Sequence, residues 1–93
     1  MPKFLIEVPH EAGEMACIRA IQILQDYGSH YITNADFGCM DDVHKAWLTV
    51  DVDTKEEARM MVPPVFRESS TITVLCKFTP DELSEMLKKH GKQ

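Results

Sequence analysis

The segment from Phe4 to Val8 is a nearly continuous apolar run closed by Pro9, a pattern that predicts a short central strand buried on both faces. From Glu11 to Tyr27 the apolar residues Met15, Ile18, Ile21 and Leu24 recur at helical spacing. Cys17, Ala20 and Tyr27 flank that stripe, and Gly28 follows where a helix commonly ends. This predicts an amphipathic helix. Residues 29–37, rich in Tyr, Ile, Thr and Phe, and residues 46–52 are separated by a polar turn at 38–42 and predict a hairpin. The second strand alternates cleanly, with Ala46, Leu48, Val50 and Val52 on one face and Lys45, Trp47, Thr49 and Asp51 on the other.

Thr54-Lys-Glu-Glu57 and Thr79-Pro-Asp-Glu82 are both capping-box sequences, each predicting a helix start. The first helix is short, because Pro63-Pro64 removes two backbone donors. Between them residues 70–78 alternate as a strand, with Ile72, Val74 and Cys76 on one face. The last helix carries Leu83, Met86 and Leu87 and runs into a charged tail from Lys88. The order is β-α-β-β-α-β plus a C-terminal helix, which is the ferredoxin-like α+β arrangement. It implies a four-stranded antiparallel sheet, two helices on one face, and a second face in need of a cover. Residues 1–93 form a single domain of this kind.

Composition narrows the functions. Ten Lys and Arg against fifteen Asp and Glu give a formal charge of −5 with the basic residues dispersed, which argues against nucleic acid and acidic membrane surfaces as partners. No apolar run approaches the roughly 20 residues of a membrane span, and the start lacks a signal peptide's apolar stretch, so a cytoplasmic protein is expected. Three cysteines without a CxxC suit free thiols in a reducing compartment. No phosphate-binding glycine loop or dinucleotide fingerprint occurs, so no nucleotide cofactor is expected.

The topology gathers polar residues at one sheet edge: His10 after strand one, Asp36 near the end of strand two, Cys39, Asp41 and Asp42 in the turn, and His44 beyond it. Ser69 and Ser70 approach the same edge. His10, Asp36, Cys39 and His44 form a candidate metal set, since imidazole, thiolate and carboxylate together suit Zn, Ni or Cu. The competing reading makes the histidines and aspartates solvated turn residues and Cys39 a small half-buried one. Cys17 and Cys76, in apolar periodic contexts, read as inert buried thiols, with Cys39 the one exposed. Met15 and Met61 read as core fillers. A second candidate is a small-molecule pocket against the open sheet face, walled by Tyr31 and Trp47, with His30 or His44 as an acid–base group. Trp47 serves equally as the anchor of a homodimer, and His30 as a cross-strand partner of Asp51 or Asp53.

The stretch from Ala46 to Ala58, then Val62-Pro-Pro-Val-Phe66 and Thr71 to Leu75, resembles the second half of small dimeric α+β-barrel proteins such as muconolactone isomerase and its relatives. The resemblance implies two sheets packed face to face in a homodimer, among proteins that include isomerases and oxygenases. The first half departs from the isomerase pattern, and no catalytic residue transfers. Three classes of function therefore stand open: a metal- or small-molecule-binding dimer, a small-molecule isomerase or cofactor-free oxygenase, and a purely structural dimer.

Overall fold

The computed structural model describes residues 1–27 and 34–91. In chain order these form β1 (Lys3–Pro9), α1 (Glu14–Tyr27), β2 (Asp36–Phe37), a 3-10 turn (Cys39–Asp41), β3 (Lys45–Asp51), α2 (Lys55–Met60), a second 3-10 turn (Pro64–Phe66), β4 (Thr71–Leu75) and α3 (Pro80–His90). The strands make one antiparallel sheet in the order β2-β3-β1-β4. This is an α+β fold whose elements follow the predicted β-α-β-β-α-β order with a C-terminal helix added.

Register explains the core. Phe4, Ile6 and Val8 of β1 stand opposite Val50, Leu48 and Ala46 of β3, and Ile6 also faces Ile72 of β4, so one face of the sheet is aliphatic. Leu24 of α1, Ala58 of α2 and Val62 beyond it close over that face, leaving Ile6, Val8, Leu24 and Val62 without solvent exposure. Side chains of this size each contribute about 1.5–3 kcal/mol when fully buried. β1 is central, as its sequence predicts, but it is buried on one face only. Leu5 and Glu7, on the other face, remain half-buried beside Trp47 and Thr49.

Helix α1 is rotated from its predicted orientation. Cys17, Ala20 and Leu24 point inward, while Met15 (58% exposed), Ile18 and Ile21 face outward, so Met15 is not a core filler. Leu24 of the predicted stripe is buried as expected and the flanking Tyr27 is exposed, but Cys17 and Ala20 take the inner positions from Met15, Ile18 and Ile21 because their small side chains let the helix backbone approach the sheet closely. Met61 does pack against the core. Residues 28–33, which include half of the predicted second strand together with His30 and Tyr31, lie outside the described residues.

Arg67 ties the helical layer together. Its Nε–H donates to the Val62 carbonyl at 2.8 Å and its Nη2 to the Tyr27 hydroxyl at 2.8 Å, and that hydroxyl donates to the Met60 carbonyl at 3.0 Å. Beyond β4 the character changes. Every residue from Thr73 to Gly91 is exposed, α3 buries no side chain, and the radius of gyration of 16.8 Å exceeds the about 12 Å expected of a compact chain this long. The helix α3 is therefore an arm rather than a layer.

Candidate metal centre

Where β1 ends, the His10 backbone N–H donates to the His44 carbonyl at 3.0 Å, which makes the two histidines neighbours across adjacent chain segments. Their rings meet edge to face with centroids 5.8 Å apart. The chain then turns through Gly13, whose φ of +109° is a conformation that side-chain-bearing residues rarely adopt, and enters α1. The Gly13 carbonyl accepts from the Cys17 N–H at 3.0 Å, which places Cys17 in the first turn of α1, buried and facing back toward the strand end.

Cys39 arrives from the other side. A Cβ on Gly38 would lie 2.7 Å from the Val43 carbonyl oxygen and 2.8 Å from the Trp47 ring, so only glycine lets the indole close down on the turn. The Gly38 carbonyl accepts from the N–H groups of both Asp41 and Val43, curling Cys39–Asp41 into a tight 3-10 turn. Asp42, with φ 61°, is the one non-glycine left-handed residue among those described, and it delivers the chain to His44.

His10, Cys17, Cys39 and His44 thus each present one ligand atom, all within 4.8 Å of one another. The Cys39 Sγ lies 3.4 Å from His10 Nε2, and the Cys17 Sγ lies 3.6 Å from His44 Nδ1. A tetrahedral ion with ordinary metal–sulfur and metal–nitrogen bonds spaces its sulfur and nitrogen ligands roughly 3.5 Å apart. The donor set and its spacing can therefore hold a metal ion.

The remaining ring nitrogens support that geometry. His10 Nδ1 is 3.1 Å from the Glu11 carbonyl oxygen, and His44 Nε2 is 2.9 Å from Asp42 Oδ1. Both partners only accept hydrogen bonds, so each neutral ring keeps its proton on that outer nitrogen. His10 Nε2 and His44 Nδ1 are left as lone pairs facing the sulfurs, in the carbonyl–histidine and carboxylate–histidine arrangement that orients metal ligands. The Cys17 thiol is pushed up to about 11, first by its hydrogen bond with Cys39, then by burial and by the negative charge of Cys39, Asp42 and Glu14. Two crowded sulfurs resist becoming thiolates together, and a divalent cation between them removes that resistance.

The structure brings His10, Cys39 and His44 together at the predicted edge and adds Cys17, but it does not bring Asp36. Because Phe37 packs against the core, its neighbour Asp36 points to the opposite, open sheet face, opposite Trp47. Cys17 takes its place. The helical period alone put Cys17 beside the buried stripe, whereas its spacing from His10, one turn into the helix that leaves the same edge, was the signal for a ligand. Cys76, expected to be buried, is exposed beyond the end of β4, and Cys39 is half-buried rather than the one exposed thiol. Ser69 lines a shallow groove with His10, as the edge predicts, while Ser70 is buried with its hydroxyl donating to the Phe66 carbonyl. Trp47 is half-buried, and its Nε1–H donates to Glu7 Oε1 at 3.2 Å. Its ring acts on the site through Gly38. His30 and Tyr31 lie outside the described residues.

Cys17, Cys39 and His44 open onto a surface groove of about 470 Å³ whose other walls include Ile18, Ile21 and Met40. Among the described residues no helix is long and apolar enough to cross a membrane. Comparison with family models, with curated proteins and with solved structures finds no match to this chain.

Proposed function

We propose that this protein is a transition-metal-binding domain that holds one Zn(II) ion through His10, Cys17, Cys39 and His44. The observation that carries the reading is the convergence of two sulfurs and two correctly presented imidazole lone pairs within 4.8 Å. Two thiolates with two imidazoles are a closed, tetrahedral donor set suited to Zn(II), with Ni(II) and copper as competitors and no position reserved for a substrate. Acid–base catalysis of the isomerase or cofactor-free oxygenase kind needs no such convergence of four donors, which is why the metal reading is preferred to an enzymatic one. The strand order β2-β3-β1-β4 with α1 and α2 over one face supports reading the fold as ferredoxin-like. Thiolate ligation also suits a reducing, cytoplasmic setting.

The partner we propose is a second copy of the chain. The open face of the sheet with Leu5 and Trp47, together with the exposed Phe78, Leu83, Met86 and Leu87, leaves apolar surface that a homodimer would cover, as the α+β-barrel resemblance implies.

The test is titration of reduced, metal-free protein with Co(II) as an optical probe, followed by displacement with Zn(II). One equivalent of Co(II) is expected to give the sulfur-to-metal charge-transfer band and the strong visible bands of a tetrahedral site, and one equivalent of Zn(II) to abolish them. Both signals are expected to disappear in Cys39→Ser and His44→Ala. Weak octahedral cobalt absorption in the wild type at every ratio overturns the proposal.

A further inference from the structure

We propose that Cys17 and Cys39 form an oxidisable dithiol, converted by hydroperoxides into an intramolecular disulfide that excludes the metal. The consequence for the metal rests on the function proposed above; the disulfide itself does not. Both sulfurs belong to the set that lies within 4.8 Å, so closing an S–S bond of roughly 2 Å requires an approach of at most about 3 Å. Cys39 sits in a 3-10 turn outside the sheet ladder, where that approach breaks no strand pairing. Both residues line the same solvent-open groove, which is wide enough to admit a peroxide. The third thiol, Cys76, lies outside the cluster and is exposed.

The order of events follows from exposure. Cys39, the half-buried member, meets the oxidant first, while Cys17, buried in α1, resolves the product. The Cys39 sulfur attacks the terminal hydroperoxide oxygen, the O–O bond breaks, and the sulfur becomes a sulfenic acid while the other oxygen leaves as water or alcohol. The His10 Nε2 lone pair, 3.4 Å from that sulfur, is placed to take the thiol proton. The Cys17 sulfur then attacks the sulfenic sulfur and displaces hydroxide, which leaves as water. With hydrogen peroxide, two thiols and one peroxide give one disulfide and two waters, the pair losing two electrons and the peroxide gaining them. From the metal-bound state the same step consumes both thiolates and two protons and releases the cation, because two imidazoles alone hold Zn(II) weakly.

The experiment uses the Cys76→Ser variant of the 93-residue chain, which keeps the pair and removes the competing thiol. Metal-free, reduced protein is treated with hydrogen peroxide, quenched, blocked with N-ethylmaleimide and analysed by intact mass and peptide mapping. A mass lower by two hydrogens, no maleimide adducts and a crosslinked peptide joining Cys17 to Cys39 are expected. Two blocked thiols, or sulfinic acids on uncoupled cysteines, overturn the proposal.

Zinc-loaded protein is treated in parallel with a chromogenic chelator present. One zinc released per disulfide, recaptured after dithiothreitol, is expected, and a disulfide formed with zinc retained overturns the exclusion. Zinc bound with no disulfide formed leaves the metal function standing and sinks this inference. A disulfide formed in protein that never binds zinc does the reverse for the dithiol and the metal function.

Discussion

Helices α1 and α3 are both amphipathic and of similar length, yet α1 buries Cys17, Ala20 and Leu24 whereas α3 buries nothing. The difference lies in what each is tied to. The start of α1 is bound into a sheet edge where β1, the Gly38 turn and the histidines converge, so its orientation is set by packing and by the cluster. The order of α3 comes from within its own first turn. Thr79 accepts from the Glu82 N–H at 3.1 Å and the Glu82 carboxylate accepts from the Thr79 N–H at 2.8 Å, a complete capping box with Pro80 next to it. An isolated helix of this length is marginal in water. One region thus derives its structure from long-range contacts that gather the His and Cys side chains, and the other from local sequence alone.

The sharpest way to probe the first region is through its protons. A neutral Cys17 thiol must give up its proton to a bound ion, so metal affinity is expected to rise with pH by about 10- to 100-fold per unit across roughly pH 6 to 8, according to whether one or two protons leave. Chelator-competition titrations across that range, corrected for the chelator's own protonation, measure it. A flat profile would mean that the sulfurs do not ligate. For the metal-free fold the sign is opposite: a thiol raised to about 11 favours the protonated native state. That stabilisation is complete below the ordinary thiol range near 8.5 and is lost as pH rises through about 11. The far-ultraviolet signal of α3 is expected to follow neither change.

Asp42 is the next lever. Its carboxylate is 95% exposed and still fixes the His44 tautomer, from a backbone conformation that favours glycine or asparagine. Asp42→Ala is expected to weaken metal binding about 10- to 100-fold, the usual cost of losing the group that orients a histidine ligand. Asp42→Asn keeps both the left-handed turn and an oxygen acceptor, so it should retain most of the affinity. Asp42→Gly should share the affinity loss of the alanine variant while relieving the backbone and stabilising the metal-free protein. Cobalt titrations and thermal melts on the three variants separate these effects, and equal affinities throughout would remove Asp42 from the site.

Much of the first region was legible in the order of elements. Once β-α-β-β-α-β is recognised, His10, Cys39 and His44 must meet at one edge, because β1 and β2 run the same way beside β3. What periodicity could not convey was rotation. Met15, Ile18, Ile21 and Leu24 form a helical stripe, and Cys17 and Ala20 beside it displace all of that stripe but Leu24 only through close helix-to-sheet packing, so from the sequence Cys17, the fourth member of the cluster, reads as an inert core thiol. Asp36 was misplaced for a related reason: one residue of register moves a strand side chain to the other face, and residues 29–37 alternate too poorly to fix it. Local motifs fared better. Both Thr-x-x-Glu sequences cap helices, although at α2 the Glu57 carboxylate accepts from the Thr54 hydroxyl at 3.3 Å in place of the backbone N–H.

Those two caps provide the smallest and most discriminating test. Thr54→Ala and Thr79→Ala each remove a cap worth about 1 kcal/mol of helix stability. In α2, whose Ala58 is fully buried in the core, the loss must propagate, and the main thermal transition is expected to fall. In α3 it should appear as reduced helical circular dichroism with the main transition unmoved. Acid should act as the mutation does. Glu82 is held below the usual carboxylate range, first by the Thr79 backbone N–H and then by its hydroxyl, so its contribution is present above that range and lost as pH falls through the depressed value. Far-ultraviolet spectra against pH for wild type and Thr79→Ala, read beside their melting curves, check both statements. If Thr79→Ala instead lowers the main transition as much as Thr54→Ala does, α3 is held in solution by more than its cap. Concentration-dependent melting would then identify a second copy of the chain as what holds it.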